Sequence, residues 1–256
     1  MPPAFEALSA ALSRRSTPAV FWWRDDDAVA PTSALDRLLD LSTAQAAPCL
    51  LAVVPKPTGP DLASRLDRAP LVKVGVHGWS HENHAPAGSK KAELGPQRPA
   101  RVQLEELRQG LEKLQALYPK KLVPVLVPPW NRIDPALIPG LSGLGFGGIS
   151  VYGPEAPLPL ACVNTHVDIM DWHGTRGGKP AAELVSDIIA ALDRGLPAVG
   201  ILTHHLVHDS AAWDFLSALV ALVADHPAAN WADAGELFAS RMTPLFGTVA
   251  SKDRQG

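Results

Sequence analysis

Apolar runs of strand length alternate with amphipathic stretches of helix length along most of this chain, and polar residues follow most of those runs at once. Residues 19–23 (AVFWW) lead into Arg24-Asp25-Asp26-Asp27, and Leu71 to Val76 lead into His77. Residues 122–127 lead into Pro128-Pro129-Trp130-Asn131-Arg132, 161–167 into the polar stretch 168–173, and 198–203 into His204-His205. Residues 49–54 and 146–151 complete the predicted strands. Helical periodicity falls between them, at 4–15, 34–46, 60–68, 101–117, 180–193, 210–223 and 233–240. Ser33 and Ser210 are read as N-caps, and Asp134 as the cap of a short helix before Gly140. Strand–helix alternation of this kind argues for a parallel sheet covered by helices, and the chain length suits a (β/α) barrel. In such a barrel the C-terminal strand ends open onto one face, so the five polar clusters are expected to meet there.

The chain of 256 residues, 46% of them apolar, is enough for one sizeable core. We expect a single catalytic domain over 1–256, with an N-terminal helix within 1–18 and a loose tail at 244–256. A net charge of −3 offers no basic surplus for nucleic acid or an anionic membrane surface. No apolar run approaches the roughly 20 residues that span a bilayer. The N-terminus shows no basic segment followed by an apolar one, so the expectation is a cytoplasmic protein without a secretory signal. Cys49 and Cys162 are far apart and read as small apolar residues, not as ligands. The 25 prolines, nearly double the usual share of about 5%, suggest long but rigid connections, above all at 85–100.

Chemistry concentrates first at His77-Gly78-Trp79-Ser80-His81-Glu82-Asn83-His84. Wound as a helical turn, positions i, i+4 and i+7 would share a face, and imidazole is the commonest protein ligand for zinc-like ions. A polar loop that happens to carry histidines is the plainer alternative. The three successive carboxylates Asp25, Asp26 and Asp27 would repel one another without a cation nearby. One aspartate with His77 and His81 makes three ligands with positions left open, as a catalytic metal requires. A neighbouring aspartate could then take a proton, and His204 could act as general acid, oriented by Asp171. Trp79, Trp130 and Trp172 are candidates for stacking on a substrate or for core packing, and His84 for a substrate contact or a plain surface position. The nitrogen and carboxylate donors suit Zn2+, with Co2+ or Ni2+ as substitutes.

These residues resemble the polysaccharide deacetylases, the NodB-homology carbohydrate esterases of family 4. An Asp-Asp motif falls within Arg24-Asp25-Asp26-Asp27. His77-Gly78-Trp79-Ser80-His81 resembles H-[ST]-x-x-H with Gly78 in place of the hydroxyl residue, and Val127-Pro128-Pro129-Trp130 resembles R-x-P-[YW]. Asp168-Ile169-Met170-Asp171-Trp172 matches D-x-x-D-W, and Leu202-Thr203-His204 matches L-x-H. The resemblance implies a distorted seven-stranded (β/α) barrel and a metal-dependent hydrolase that removes an acyl group, typically N-acetyl, from an amino sugar or related amide. It implies one divalent ion on His77, His81 and the second motif aspartate, with the first as base. His204 would be the acid, tuned by Asp171. Trp172 would wall the acetyl pocket, and the Trp130 N–H would help stabilise the oxyanion. The substrate would be a small molecule or an oligosaccharide.

The aspartate triplet leaves two registers open. One makes Asp26 the base and Asp27 the ligand; the other makes them Asp25 and Asp26. The first is preferred because Ala28 then stands where the family has glycine. Val127 replaces the arginine that normally braces the base, and Arg24 or Arg132 are the candidates to replace its charge. Two alternative readings remain: a sugar- or metal-binding module that has lost turnover, for which Val127 speaks, and a hydrolase of another carbon–nitrogen bond in a small metabolite. The sequence leaves the oligomeric state open.

Overall fold

The structure, a computed structural model, describes residues 3–241, so the expected loose tail lies outside the described residues. The described residues form nine strands: β1 (Ala19–Ala28), β2 (Cys49–Val53), β3 (Val72–Val76), β4 (Leu122–Leu126), β5 (Gly148–Ile149), β6 (Ala161–Cys162), β7 (Val167–Asp168), β8 (Val199–Thr203) and β9 (Ala229–Trp231). The helices are α1 (Pro3–Ser13), α2 (Ser33–Ala44), α3 (Pro60–Leu66), α4 (Ala100–Leu117), α5 (Ile138–Leu141), α6 (Ala181–Asp193), α7 (Ser210–Asp225) and α8 (Ala234–Ala239). The strands follow the order β6-β5-β4-β3-β2-β1-β8-β7, all neighbours parallel, with β9 added to β1.

One segment closes this curl. Val163 N–H and Thr165 N–H donate to Ile149 and Val151 on one side, while His166 N–H and Ile169 N–H donate to Gly200 and Leu202 on the other. Taking β6 and β7 as the ends of that single segment turns the eight strands of the path into the expected seven. The result is a distorted (β/α) barrel.

Strand alternation sorts the core into two layers. Trp22, Leu50, Ala52, Val123, Val125 and Val127 point into the barrel, where Phe238 of α8 packs with them, edge-on to Trp22. Phe21, Trp23, Leu51, Val53, Val72, Val74 and Val76 point outward under the helices. Leucines at three- and four-residue spacing supply the covering faces: Leu35, Leu38 and Leu39 on α2, and Leu107 and Leu114 on α4. Complete burial of a leucine-sized side chain stabilises by about 1.5–3 kcal/mol, which makes this inner and outer packing the main source of rigidity behind the site.

Several local expectations are corrected. Thr32 and Asp209, not Ser33 and Ser210, cap α2 and α7; their side chains accept from Leu35 N–H and Ala212 N–H. Both sit one residue earlier and are equally able to accept. Strand β1 does not stop at Trp23 but runs through the aspartates to Ala28. Burial of Arg24, Asp25 and Asp26 is tolerable there because each is paired. The short strand β9 was unforeseen, since Ala229-Asn230-Trp231 carries no alternation to read. Residues 77–84 form a loop, not a helical turn, because Gly78 and His81 both adopt positive φ.

Candidate active site

Three adjacent aspartates end up in three different environments. On β1 the chain advances from Asp25 to Ala28 while its partner advances only from Leu51 to Val53, so β1 carries one extra residue. This bulge coincides with Asp27 at φ 75°, a left-handed conformation that costs a non-glycine residue of order 1 kcal/mol or more. Alternation sends Asp25 outward and Asp26 inward, and the bulge turns Asp27 to the rim.

Asp27 Oδ1 lies 2.9 Å from His77 Nε2 and 3.1 Å from His81 Nε2. One ligand atom from each of the three residues falls within 4.8 Å of the others. His77 Nδ1 faces the Val127 carbonyl at 2.9 Å and donates to it, which turns Nε2 toward Asp27. The backbone locks this arrangement, since His77 N–H donates to Val53 and Val127 N–H to Val76. Burial would push the Asp27 carboxyl up, but hydrogen bonds from His77 and His81 and the charge of His204 outweigh it and hold it well below the usual carboxylate range. Two imidazole nitrogens and a carboxylate oxygen gathered at the ends of two parallel strands fit a zinc-like divalent ion.

Asp26 is buried against Arg24. The Arg24 Nε–Asp26 Oδ1 distance is 2.9 Å, and Nη2 donates to Oδ2 at 3.0 Å. The same guanidinium donates to Ser150 Oγ and Asn131 Oδ1, both at 2.7 Å. Of the two candidate arginines, it is therefore Arg24, two residues before Asp26 in the chain, that pairs with this carboxylate. Arg132 is elsewhere and donates to the Lys91 carbonyl. Asn131, at φ 56°, is a partner the sequence did not announce. Asp25 points away from the rim and accepts from Thr203 Oγ1 at 2.6 Å and from His205 N–H, and it pairs with His205 Nδ1. Burial would lower the His205 pKa, but Asp25 raises it on balance.

His204 follows β8, the strand paired with β1, and is nearly buried, and its Nδ1 has no partner among the described residues. Trp172 meets it edge-on, ring centroids 4.8 Å apart. The structure does not bring Asp171 to His204. Its carboxylate accepts from Gly174 N–H and Thr175 N–H and closes a surface turn. The acid whose environment His204 shares is half-buried Asp168, which accepts from Trp172 Nε1 at 2.8 Å and from Met170 N–H. Burial pushes its carboxyl up, partly offset by the charge of His204. The motif spacing alone cannot say which of its two aspartates faces the histidine. His208 Nε2 accepts from His204 N–H at 3.2 Å, and burial pulls the His208 pKa down to about 4.

Trp130, at φ 54°, packs on His81 with ring centroids 4.3 Å apart, and Lys91 Nζ stands 5.9 Å from the Trp130 centroid. Trp79 is half-buried beside this loop. His84 does not join the histidine pair; its backbone N–H donates to Ala92. The proline-rich 85–100 loop brings Glu93 to this turn, and its side chain is fully buried rather than solvated. Its Oε1 accepts from Trp79 N–H, Ser80 N–H and Ser80 Oγ, and its Oε2 from His81 N–H. A Cβ on Gly78, itself at φ 59°, would collide with Glu93 Oε2 and lie 2.6 Å from Pro129 Cγ. That accounts for glycine where a hydroxyl residue was expected.

No family model and no curated protein matches the chain. Solved structures do. A "T48 deacetylase with substrate" is 21% identical with TM-score 0.57, over 88% of this chain and 92% of that one. A protein from Mycobacterium smegmatis provisionally named a polysaccharide deacetylase is 17% identical with TM-score 0.64, over 92% and 95%. A pseudoenzyme of carbohydrate esterase family 4 from Bacillus anthracis is 14% identical with TM-score 0.60, over 87% and 66%. The chain is therefore built on the NodB-homology fold of the family 4 polysaccharide deacetylases.

Proposed function

We propose that the protein is a metal-dependent hydrolase that removes an acyl group, typically N-acetyl, from the nitrogen of an amino sugar or related amide. The observation that carries this reading is the gathering of Asp27, His77 and His81 donor atoms within 4.8 Å at the strand ends. These three residues would hold one divalent ion, with Zn2+ favoured by the donor set. A bound ion would supply Lewis acidity toward the amide carbonyl and toward water.

The remaining steps belong to the chain. Asp26, fixed by two contacts to Arg24, accepts the proton of the attacking water. His204 donates a proton to the leaving amine. Asp168, its half-buried acidic neighbour, takes the tuning role that the resemblance gave to Asp171. Trp172 walls the acyl pocket, and the Trp130 backbone N–H donates to the developing oxyanion, a kind of contact worth about 3–4 kcal/mol. Arg132, Trp79 and His84 line the approach for the rest of the substrate, a small molecule or an oligosaccharide. Among the described residues no helix is long and apolar enough to cross a membrane.

A structural likeness to a pseudoenzyme keeps the non-catalytic reading in view. The Arg24 brace speaks against it, because an inert module gains nothing from a buried, doubly held base. Acetate release from N-acetylated oligosaccharides, with and without added zinc or cobalt, tests the proposal. Metal-dependent release that His204→Ala abolishes while retaining metal supports the hydrolase. Metal binding without turnover on any acylated sugar or small amide supports the binding module.

A further inference from the structure

We propose that Glu93 is the positioning residue that shapes the metal site, by holding the 78–81 turn so that His81 returns to Asp27. The inference rests on the ligand set proposed above. The turn has a demanding task. It leaves β3 at His77 and must bring a second imidazole back beside the first within four residues. It does so with left-handed backbone at Gly78 and again at His81, and the latter is costly for a residue with a side chain. Such a conformation persists only when its surroundings over-determine it.

Glu93 supplies that constraint. Three consecutive N–H groups, of Trp79, Ser80 and His81, converge on its two oxygens, and the Ser80 hydroxyl adds a fourth contact. Among the described residues no arginine, lysine or histidine is ion-paired with it, so its acceptor capacity is spent on the turn. The carboxylate is itself fixed. Ala92 N–H donates to Asn83 Oδ1, Asp134 N–H donates to the Leu94 carbonyl, and Leu94 is fully buried. The proline-rich 85–100 segment therefore serves to deliver one acceptor beneath the second histidine.

The test is zinc affinity of the full chain by chelator competition, with the visible spectrum of the Co2+-loaded protein. Glu93→Gln keeps the shape but turns an NH2 toward backbone N–H groups. It is expected to lower zinc affinity about 10- to 100-fold and to alter the cobalt absorption while far-UV circular dichroism stays native. Native Glu93→Gln protein with unchanged affinity and spectrum overturns the proposal. Should that variant not fold, Ser80→Ala, which removes one donor, is expected to give a smaller fall in affinity. Gly78→Ala, whose Cβ displaces Oε2, is expected to give a larger one, and wild-type affinity in both overturns the proposal. A wild-type chain that binds neither metal would remove the Asp27–His77–His81 reading itself, and this inference with it.

Discussion

At the β1–β3 strand ends, each acidic or imidazole group that could serve the reaction has a partner. Asp25 is held by Thr203 and His205, Asp26 by Arg24, Asp27 by two histidines, His77 by the Val127 carbonyl. At the β7–β8 ends, His204 Nδ1 and His208 Nδ1 have no partner among the described residues, and Trp172 stands exposed with one hydrogen bond to Asp168. The difference is physical. A ligand set gains from being assembled in advance, because any ordering left to the moment of binding subtracts from affinity. A proton donor must keep a nitrogen available for a substrate atom, and partnering it fully would defeat it.

The contrast can be broken most severely from the ligand side. His77→Ala or His81→Ala should abolish metal retention by elemental analysis and lower acetate release by about 10³-fold or more. Unchanged metal content would take the substituted residue out of the site. At the β8 end, His204→Ala should cost about 10²- to 10⁴-fold in kcat with metal content intact, since only proton delivery is removed. Arg24→Met should leave Asp26 buried without its cation. Urea unfolding should then show a loss of about 3–5 kcal/mol, and a loss below 1 kcal/mol would mean the pair is not the brace described.

pH sharpens the comparison further. His208 has a folded pKa of about 4, below its ordinary 6.5, so the unfolded chain takes up its proton first as pH falls. The contribution of His208 to stability is complete above pH 6.5 and declines by up to about 3 kcal/mol as pH falls toward 4. Urea midpoints at pH 7 and pH 4.5 should therefore differ less in His208→Gln than in the wild type. Equal differences would deny the site its buried neutral imidazole. The smallest effects separate the two aspartates of one motif. Asp168→Asn should lower kcat about tenfold with metal content unchanged. Asp171→Asn should stay within about twofold, as exposed positions do. The reverse result would mean that substrate draws Asp171 to His204 in the way the motif implies.

Much of this arrangement could be read before any coordinates existed. The barrel was legible because apolar runs and helical stripes each carry their own period, and those periods are local. The polar clusters were legible because they interrupt that pattern at the same point of successive strands. The 77–84 turn was not, since i, i+4 and i+7 spacing implies a shared face only if the backbone is helical, and two left-handed residues make it otherwise. Glu93 was invisible for a related reason. A glutamate in a proline-rich loop looks solvated, and only folding shows three N–H groups converging on it.

The amino-acid order by itself determined most of the strands (though not β9), where the strand ends converge, and that histidines and aspartates collect there. Only the tertiary structure decided which aspartate does what. Asp25, Asp26 and Asp27 are chemically identical and adjacent, so nothing local can rank them. A bulge turns the third to the rim, alternation leaves the first two on opposite faces of β1, and each then takes the partner its own face presents: His205, Arg24 and the histidine pair.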